Sequence, residues 1–295
     1  MENLKTVNKK ALGHMAALLC AIIWGTTFIS TKVVLSTFTP IEILVVRFVL
    51  GYILLWILRP KKLAFQGIKW EANAFFAGVF GIALYYLAEN YALEYTSAGN
   101  VSLIVSTAPF FIAITFRLLK ESDEKFSLFF FLGFILAICG IALMNYSEGA
   151  FTFDLVGSLL ALLGAILWGI YSVFIKRASK ENIDTIALTR RTFFYGIAIL
   201  LPIAFLVGFD ISVDNFKDIK VLSNVIYLGL GASAICFAVW NFAIKSLGAL
   251  VSGVYIYLVP AITVVFSYFF LNENMNIYMI AGTILVIIGL VISEK

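Results

Sequence analysis

The stretch 21-AIIWGTTFISTK-32 returns, with changes, as 165-AILWGIYSVFIK-176, at an offset of 144 residues along the chain. Both copies hold a tryptophan–glycine pair at the same place, and both end on lysine. Further matches follow in the same order, at offsets of 144, 151 and 149 residues: Arg47 with Arg191, Asn90 with Asn241, Pro109 with Pro260, and Gly140 with Gly289. A repeat of this length indicates a chain made of two related halves, which we place at residues 1–148 and 149–295.

The composition excludes a water-soluble domain. Of the 295 residues, 62% are apolar and only 13% are charged, and the mean hydropathy is +1.02. A soluble protein of this length needs far more polar surface to cover its core. The composition therefore predicts an integral membrane protein, with the lipid bilayer as its solvent.

Ten apolar stretches are each long enough to cross about 30 Å of hydrocarbon as an α-helix. They are expected near residues 14–34, 41–58, 73–94, 98–118, 126–145, 154–177, 185–207, 221–245, 249–270 and 276–292. Runs such as 280-IAGTILVIIGLVI-292 lack the alternation of polar and apolar residues that a strand of a β-barrel requires. The predicted fold is all-α, with ten transmembrane helices.

The distribution of lysine and arginine predicts the orientation of these helices. Basic residues gather before the first span and in every second connection after it, whereas the opposite loops hold little beyond Lys217 and Lys220. By the positive-inside rule, both termini are expected in the cytoplasm. The protein itself is expected in the plasma (inner) membrane. Because five spans in each half is an odd number, the second half enters from the opposite side, and the two five-helix repeats are inverted.

Two matched pairs of residues fall near the middle of the membrane. At a rise of about 1.5 Å per residue, Trp24 and Trp168 lie at mid-depth, as do Pro109 and Pro260 in the fourth and ninth spans. Tryptophan prefers membrane interfaces, so we interpret the tryptophan pair as lining a cavity, with packing or lipid contact as the alternative. Each proline is expected to kink its helix and to free a backbone carbonyl, either as a structural hinge or as a ligand for substrate.

Glu89 is the residue that is most costly to bury. It lies near the outer end of the third span, at a depth similar to that of Arg47 in the second. An ionisable group there should face a cavity or a partner. Two interpretations follow: an ion pair with Arg47, or a carboxylate that binds a cationic substrate group or couples transport to protons. Its counterpart in the second half is Trp240, which is a further candidate for the binding site. The charge of Glu89 therefore breaks the symmetry of the two halves, and we expect substrate identity to be decided at this position.

Matched amides form a further candidate pair. Asn90 and Asn241 can both donate and accept hydrogen bonds, and interhelical bonding and substrate binding both remain open for them. Tyr171 and Tyr255 are candidates to present an aromatic face and a hydroxyl to the cavity.

The repeated segments resemble those of the drug/metabolite transporter superfamily, specifically its EamA-type members. The resemblance extends over nearly the whole chain, and it is carried by the two stretches quoted above, by Ala92 to Pro109 with its copy Ala243 to Pro260, and by the segments around Glu121/Gly140 and Glu273/Gly289. It implies ten helices in two inverted repeats and alternating access through a central cavity, commonly moving amino acids or other small metabolites, often outward. It also implies that Trp24, Trp168 and Asn241 occupy cavity-lining positions, whereas Glu89 matches no general family pattern.

We therefore predict a secondary transporter that exports small amphiphilic metabolites, with amino acids as the first candidates. The alternative is proton-coupled uptake of a cationic or nucleobase-like solute. The expected partners are a small-molecule substrate and the bilayer, without nucleic acid, cofactor or metal, because the three cysteines lack metal-ligand spacing and no Gly-x-x-x-x-Gly-Lys-Ser/Thr motif occurs. An intramembrane enzyme is a distant alternative, since the chain has one histidine and neither His-Glu-x-x-His nor Gly-x-Ser-x-Gly.

Overall fold

The structure is a computed structural model that describes residues 2–121, 127–144, 146–147, 150–151, 154–180, 182–272 and 276–293. In these ranges the chain is helical apart from its connections and one short antiparallel pair, β1 (Tyr146–Ser147) with β2 (Ala150–Phe151). The boundary expected between the halves, at residues 148 and 149, lies outside the described residues, as does Glu273.

Ten helices follow one another through the described residues. They are α1 (Glu2–Val34), α2 (Pro40–Leu58), α3 (Ile68–Tyr95), α4 (Ala98–Leu118), α5 (Leu128–Met144), α6 (Leu155–Ala178), α7 (Thr185–Val207), α8 (Ile219–Leu247), α9 (Ala249–Leu271) and α10 (Ile277–Ser293). Eight of them contain a stretch with the length and hydropathy of a membrane span, while α5 and α10 are shorter apolar helices. At 17 residues each, these two lie at the lower limit for a spanning helix. The all-α membrane fold with ten helices is confirmed.

The third helix begins at Ile68, earlier than the hydropathy pattern indicates. Its first turn contains the charged residues Lys69 and Glu71, yet it is helical because neighbouring helices supply partners for Trp70 and Glu71. Trp70 donates its indole N–H to the Ala178 carbonyl at 2.9 Å, and Glu71 forms an ion pair with Arg191 at 3.3 Å. Buried polar groups with such partners cost little, so the helix extends beyond its apolar segment.

The packing of α5 against α10 shows the inverted relation of the two halves. Gly133 and Gly140 on α5 match Gly282 and Gly289 on α10. A Cβ added at Gly140 would lie 2.7 Å from the Gly282 carbonyl oxygen, and one at Gly289 would lie 2.5 Å from the Gly133 carbonyl oxygen. The two helices therefore run antiparallel and offer each other equivalent glycines, as a twofold axis in the membrane plane requires.

Two π-helical segments occupy equivalent places in the halves. They are Val79–Leu84 within α3 and Tyr227–Ile235 within α8, and each packs against the second helix of the opposite half. A Cβ added at Gly51 on α2 would lie 3.0 Å from the Gly229 carbonyl oxygen in the second segment. The widened turns thus lie where the two halves meet, and π-helical turns often mark functional sites.

The fourth helix of each half is interrupted as well. In α4 the α-helical bonding breaks just before Pro109, where the Thr107 N–H donates to the carbonyl of Ile104, three residues back, at 3.0 Å. In α9 a 3₁₀ segment, Val254–Leu258, precedes Pro260. Proline has no N–H to donate to the preceding turn, and the backbone there adopts tighter bonding instead.

Candidate functional site

A small cavity lies between α1, α3, α4, α6 and α9, so both halves contribute walls to it. The wall residues are Trp24, Thr27, Phe28, Tyr85, Tyr86, Glu89, Val105, Ala108, Trp168, Ile256 and Val259. The cavity volume is about 30 Å³, which is room for about two water molecules. A molecule the size of an amino acid therefore requires this conformation to open.

The matched tryptophans meet in the interior. Trp24 packs edge-on against Trp168 with ring centroids 5.3 Å apart, and its ring is tilted against that of Trp240 at 4.8 Å. The Trp24 indole N–H donates to the Ala232 carbonyl in the π segment of α8 at 3.3 Å. The Trp168 and Trp240 indole nitrogens are both buried, with no hydrogen-bond partner among the described residues. Trp168 lines the cavity and Trp240 does not, so one unpartnered indole donor belongs to a wall residue.

Glu89 is only 3% exposed, and its side chain lines the cavity. Tyr85, one helical turn earlier, donates its hydroxyl proton to Glu89 Oε2. The Tyr85 ring packs against Tyr86 and Trp168, with centroid distances of 4.7 and 5.0 Å. A carboxylate among aromatic faces is a favourable environment for an ammonium group, which gains both a charge-assisted hydrogen bond and cation–π attraction.

Arg47 does not form the ion pair with Glu89 that their similar depth suggested. Its Nε donates to Ser233 Oγ in the π segment of α8 at 2.9 Å, and its guanidinium carbon lies 4.5 Å from the centroid of the Tyr86 ring. Both Nη atoms are buried without a hydrogen-bond partner, and no described carboxylate pairs with them. The guanidinium is bonded to α8, and this buried cation lies next to the ring of Tyr86, a wall residue of the cavity.

The two matched asparagines lie outside the cavity wall and join helices instead. Asn241 accepts from the Tyr171 hydroxyl at 2.9 Å and donates to Thr189 Oγ1 at 2.9 Å, which links α6, α7 and α8. Asn90 donates to the Pro40 carbonyl over a long 3.4 Å, and its Oδ1 has no partner among the described residues. In this conformation both amides have the interhelical role.

Tyr255 likewise lies outside the wall. Its hydroxyl is 2.9 Å from His14 Nδ1, which connects α9 to α1. Of the residues selected from the sequence for substrate binding, the structure thus brings Trp24, Trp168 and Glu89 together around the cavity. The others selected lie in the surrounding layer: Asn90, Tyr171, Trp240, Asn241 and Tyr255.

Several wall residues were not selected from the sequence, although some carried a signal. Thr27 and Phe28 follow Trp24 by three and four residues, and Tyr85 precedes Glu89 by four. Such spacing puts side chains on the same helix face, so the helical period alone could have found them. Four further wall residues are ordinary apolar or small side chains and carry no such signal: Val105, Ala108, Ile256 and Val259.

Two of the three cysteines, Cys20 and Cys236, are buried packing residues. Cys20 Sγ donates to the Cys236 carbonyl at 3.3 Å in the buried contact between α1 and α8, and Cys139 is exposed on α5. Among the described residues, no group of three or more His, Cys, Asp or Glu side chains is placed to hold a metal ion.

Glu121 follows the end of α4 and contacts the end of α6. Its carboxylate pairs with Arg177 Nε at 2.7 Å and with Lys176 Nζ at 3.1 Å. The hydrogen bond from Arg177 is the main cause that holds the pKa of the Glu121 carboxyl below its ordinary value, and it outweighs the effect of burial. The group is therefore ionised at neutral pH and ties the two helix ends together.

Comparison with protein families matches this chain twice to the model of the EamA-like transporter family, over residues 11–146 and 155–294. An uncharacterized transporter of Archaeoglobus fulgidus is 29% identical over 284 residues, which cover 94% of this chain and 95% of that protein. The uncharacterized transporter YdfC of Bacillus subtilis is 26% identical over 268 residues, or 90% of this chain and 86% of its own length. One crystal structure with 18% identity covers 97% of both chains with a TM-score of 0.67, a likeness of fold.

Proposed function

The chain belongs to the EamA-like transporter family, within the drug/metabolite transporter superfamily, and on that premise we propose a secondary transporter that moves small metabolites by alternating access. Amino acids and related amphiphilic compounds are the first substrate candidates, and export is the first candidate for direction. The transport is driven by a gradient or is facilitative, and we propose no catalytic activity for the chain.

The observation that carries this proposal is the position of Glu89. It is a buried carboxylate on the wall of a cavity whose other walls include the rings of Trp24, Tyr85, Tyr86 and Trp168. Burying a carboxylate in a membrane protein is costly unless it serves a partner or a ligand. An ammonium group of the substrate would neutralise this charge inside the aromatic walls, which supports a substrate that carries an amine.

The position of Arg47 supports an amino acid in particular as the substrate. Its two Nη atoms are buried donors without partners among the described residues, and its guanidinium carbon lies 4.5 Å from the ring centroid of Tyr86, a wall residue of the cavity. A rotation of that ring would let a substrate carboxylate reach Arg47 while its ammonium group lies at Glu89. Guanidinium and carboxylate groups bind each other in a bidentate geometry, so the two buried charges match the two ends of a zwitterion.

The symmetric interruptions support alternating access. Each half has a π segment in its third helix and a break beside proline in its fourth. Helices bend at such places with less loss of hydrogen bonding than at regular turns. Because inverted halves can exchange conformations, matched hinges allow one set to open as the other closes, around a cavity that is closed to metabolites here.

A thermal-shift screen of the purified protein tests the substrate class, because a bound ligand raises apparent stability. The panel contains amino acids, quaternary amines and nucleobases. For any amino acid that stabilises the protein, we then compare its amide, its decarboxylated amine and its N-acetyl derivative. The proposal expects the intact amino acid to bind tightest and the N-acetyl form, which has lost the ammonium charge, to bind weakest. Equal shifts for all four compounds contradict it.

Glu89→Gln tests the role of the carboxylate directly. A charge-assisted hydrogen bond contributes about 1.5–3 kcal/mol, so affinity should fall about ten- to hundred-fold. Glu94→Gln on the same helix makes the same chemical change at an exposed position and should leave affinity unchanged. If both variants bind the ligand as the wild type does, the assignment of Glu89 to substrate binding is wrong.

Proton-coupled uptake of a cationic or nucleobase-like solute is the second candidate. It is favoured by the same carboxylate, because a buried Glu89 bonded to Tyr85 can exchange a proton against a cationic substrate. Uptake into proteoliposomes, with and without an imposed pH gradient, distinguishes it from facilitated export of amino acids. Gradient-dependent uptake that Glu89→Gln abolishes supports this second candidate.

We also propose that both termini lie in the cytoplasm and that the protein lies in the plasma membrane. The support is the excess of Lys and Arg on one face of the bundle. A protease-cleavable tag at the carboxyl terminus should be protected in intact cells and cleaved in inverted vesicles. Cleavage in intact cells would show that the carboxyl terminus lies outside, and the proposed orientation would be wrong.

A further inference from the structure

A second pocket lies at one end of the bundle, between the end of α2 and the start of α7. Its volume is about 230 Å³, several times that of the central cavity, and the two share no wall residue. Its walls combine three cationic side chains with aromatic ones: Lys62, Arg190 and Arg191 with Tyr52, Trp56 and Phe194. The pocket is therefore unrelated to the substrate cavity and has a different chemical character.

Two of these cations are fixed in place by the surrounding backbone. Arg191 pairs with Glu71 at 3.3 Å and also donates to the Leu63 carbonyl at 2.7 Å. Arg190 donates to two carbonyl oxygens of the connection between α2 and α3, those of Arg59 and, at 2.6 Å, Lys61. No carboxylate of the described residues pairs with Arg190, so its charge is held rigidly without being neutralised.

Lys62 adds a second charge that is not neutralised. Its side chain is exposed at the mouth of the pocket, and no described residue pairs with it. The nearby Arg59 is neutralised by Asp184 at 3.2 Å, as Arg191 is by Glu71. After these pairs are counted, the pocket keeps an excess of two positive charges.

The aromatic walls give the pocket an apolar side next to this charge. The Arg190 guanidinium carbon lies 3.6 Å from the ring centroid of Trp56, so the cation is stacked on the indole. On the same stretch of α2, Ile53 and Ile57 are 50% and 70% exposed, which on a membrane helix means contact with lipid. The pocket thus joins a cationic end to a surface that faces acyl chains.

We propose that this pocket binds the phosphate group of an anionic phospholipid. Lys62 and Arg190 receive the phosphate oxygens, Arg acting as a fixed planar donor and Lys as a mobile point charge, while the acyl chains lie along Tyr52 and Phe194. Basic pockets between transmembrane helices at the cytoplasmic face are suited to such head groups. A soluble phosphate would use the same two cations but would gain nothing from the aromatic walls, which favours the lipid.

Native mass spectrometry of the full-length protein in neutral detergent tests the proposal. The protein is titrated with phosphatidylglycerol or with phosphatidylcholine, and the bound fraction is measured for Lys62→Gln and for Lys61→Gln. Lys61 is the adjacent exposed lysine, its side chain is not part of the pocket wall, and its backbone carbonyl is retained. The two variants therefore lose the same charge and differ only in whether the pocket loses it.

We expect phosphatidylglycerol to bind more tightly than phosphatidylcholine, and Lys62→Gln to weaken its binding about five-fold. Lys61→Gln should bind as the wild type does, and excess inorganic phosphate should not displace the lipid. Equal loss in the two variants, equal binding of the two lipids, or displacement by inorganic phosphate would each overturn the proposal, the last by identifying a site for soluble anions. None of these outcomes depends on which metabolite the central cavity carries.

Discussion

The Tyr85 hydroxyl donates a hydrogen bond to Glu89 Oε2 across one turn of α3, immediately after the π segment of that helix. This bond fixes the orientation of the one carboxylate among the described wall residues of the cavity. Tyr85 also packs against Trp168 of the other half at 5.0 Å. A single tyrosine therefore ties the charge in the first half to the aromatic wall that the second half supplies.

Tyr85→Phe should weaken ligand binding and lower stability together. The substitution keeps the ring and removes the donor, which leaves a buried carboxylate with fewer partners and costs about 1–3 kcal/mol. Thermal unfolding with and without ligand measures both effects. Tyr91→Phe, on the same helix outside the cavity wall, is the matched control and should change neither. If Tyr85→Phe changes no more than this control, the bond to Glu89 has no energetic role.

The fold followed from the sequence more fully than the site did. Hydropathy gave the ten spans because lipid contact requires an apolar surface along the whole span, and repeat offsets with an odd span count gave the inversion. The position of each residue along its helix was therefore predictable. The rotation of each helix about its axis was not, because a continuous apolar stretch does not mark the face that turns inward.

Asn90 shows the difference between depth and rotation. It follows Glu89 directly, so the two share a depth, yet Glu89 faces the cavity and Asn90 faces the start of α2. One residue rotates an α-helix by about 100°. The π segments at Val79–Leu84 and Tyr227–Ile235 add further rotation that no local sequence signal predicted. The positions of Asn241 and Trp240 after the second segment depend on the same effect.

Trp168→Phe should weaken ligand binding about five-fold if its free indole N–H meets an acceptor on the substrate, since such a bond contributes about 1 kcal/mol. The natural control is Trp240→Phe. Trp240 also has a buried indole nitrogen without a partner among the described residues, but it lies outside the cavity wall. The Trp240→Phe variant should lose about 1–2 kcal/mol of stability through lost packing, while its ligand affinity stays the same. Equal affinities in the two variants contradict a role for the Trp168 N–H.

Asn241→Leu should destabilise the protein much more than Asn90→Leu does. The two substitutions are of similar size, but Asn241 loses two hydrogen bonds of 2.9 Å, to Tyr171 and Thr189, whereas Asn90 loses one of 3.4 Å. Hydrogen bonds between membrane helices contribute about 0.6–1.7 kcal/mol each. We expect a loss of about 1–3 kcal/mol for Asn241→Leu and about 0.5 kcal/mol or less for Asn90→Leu, measured by thermal unfolding in one detergent. A larger loss at Asn90 would mean that its unpaired oxygen has a partner in solution.

Acid should weaken the contact between the ends of α4 and α6. Because Arg177 and Lys176 hold the pKa of Glu121 below its ordinary value, the folded protein favours the ionised carboxylate. Its contribution to stability is complete above the ordinary carboxyl pKa of about 4.3, and it disappears as the pH falls through the lower value of the folded state. The side chain of Glu121 is 22% exposed, so solvent screening limits the contribution to about 0.5–1 kcal/mol.

Thermal unfolding from neutral pH down to about pH 3.5 tests this expectation. At neutral pH the melting temperature of the wild type should lie above that of Glu121→Gln, and in acid the two melting temperatures should converge. Asp214→Asn is the control, because the ion pair of Asp214 with Lys217 is 73% exposed on both sides, and this variant should follow the wild type throughout. A constant difference between wild type and Glu121→Gln at every pH would show that the carboxylate acts by packing and not by charge.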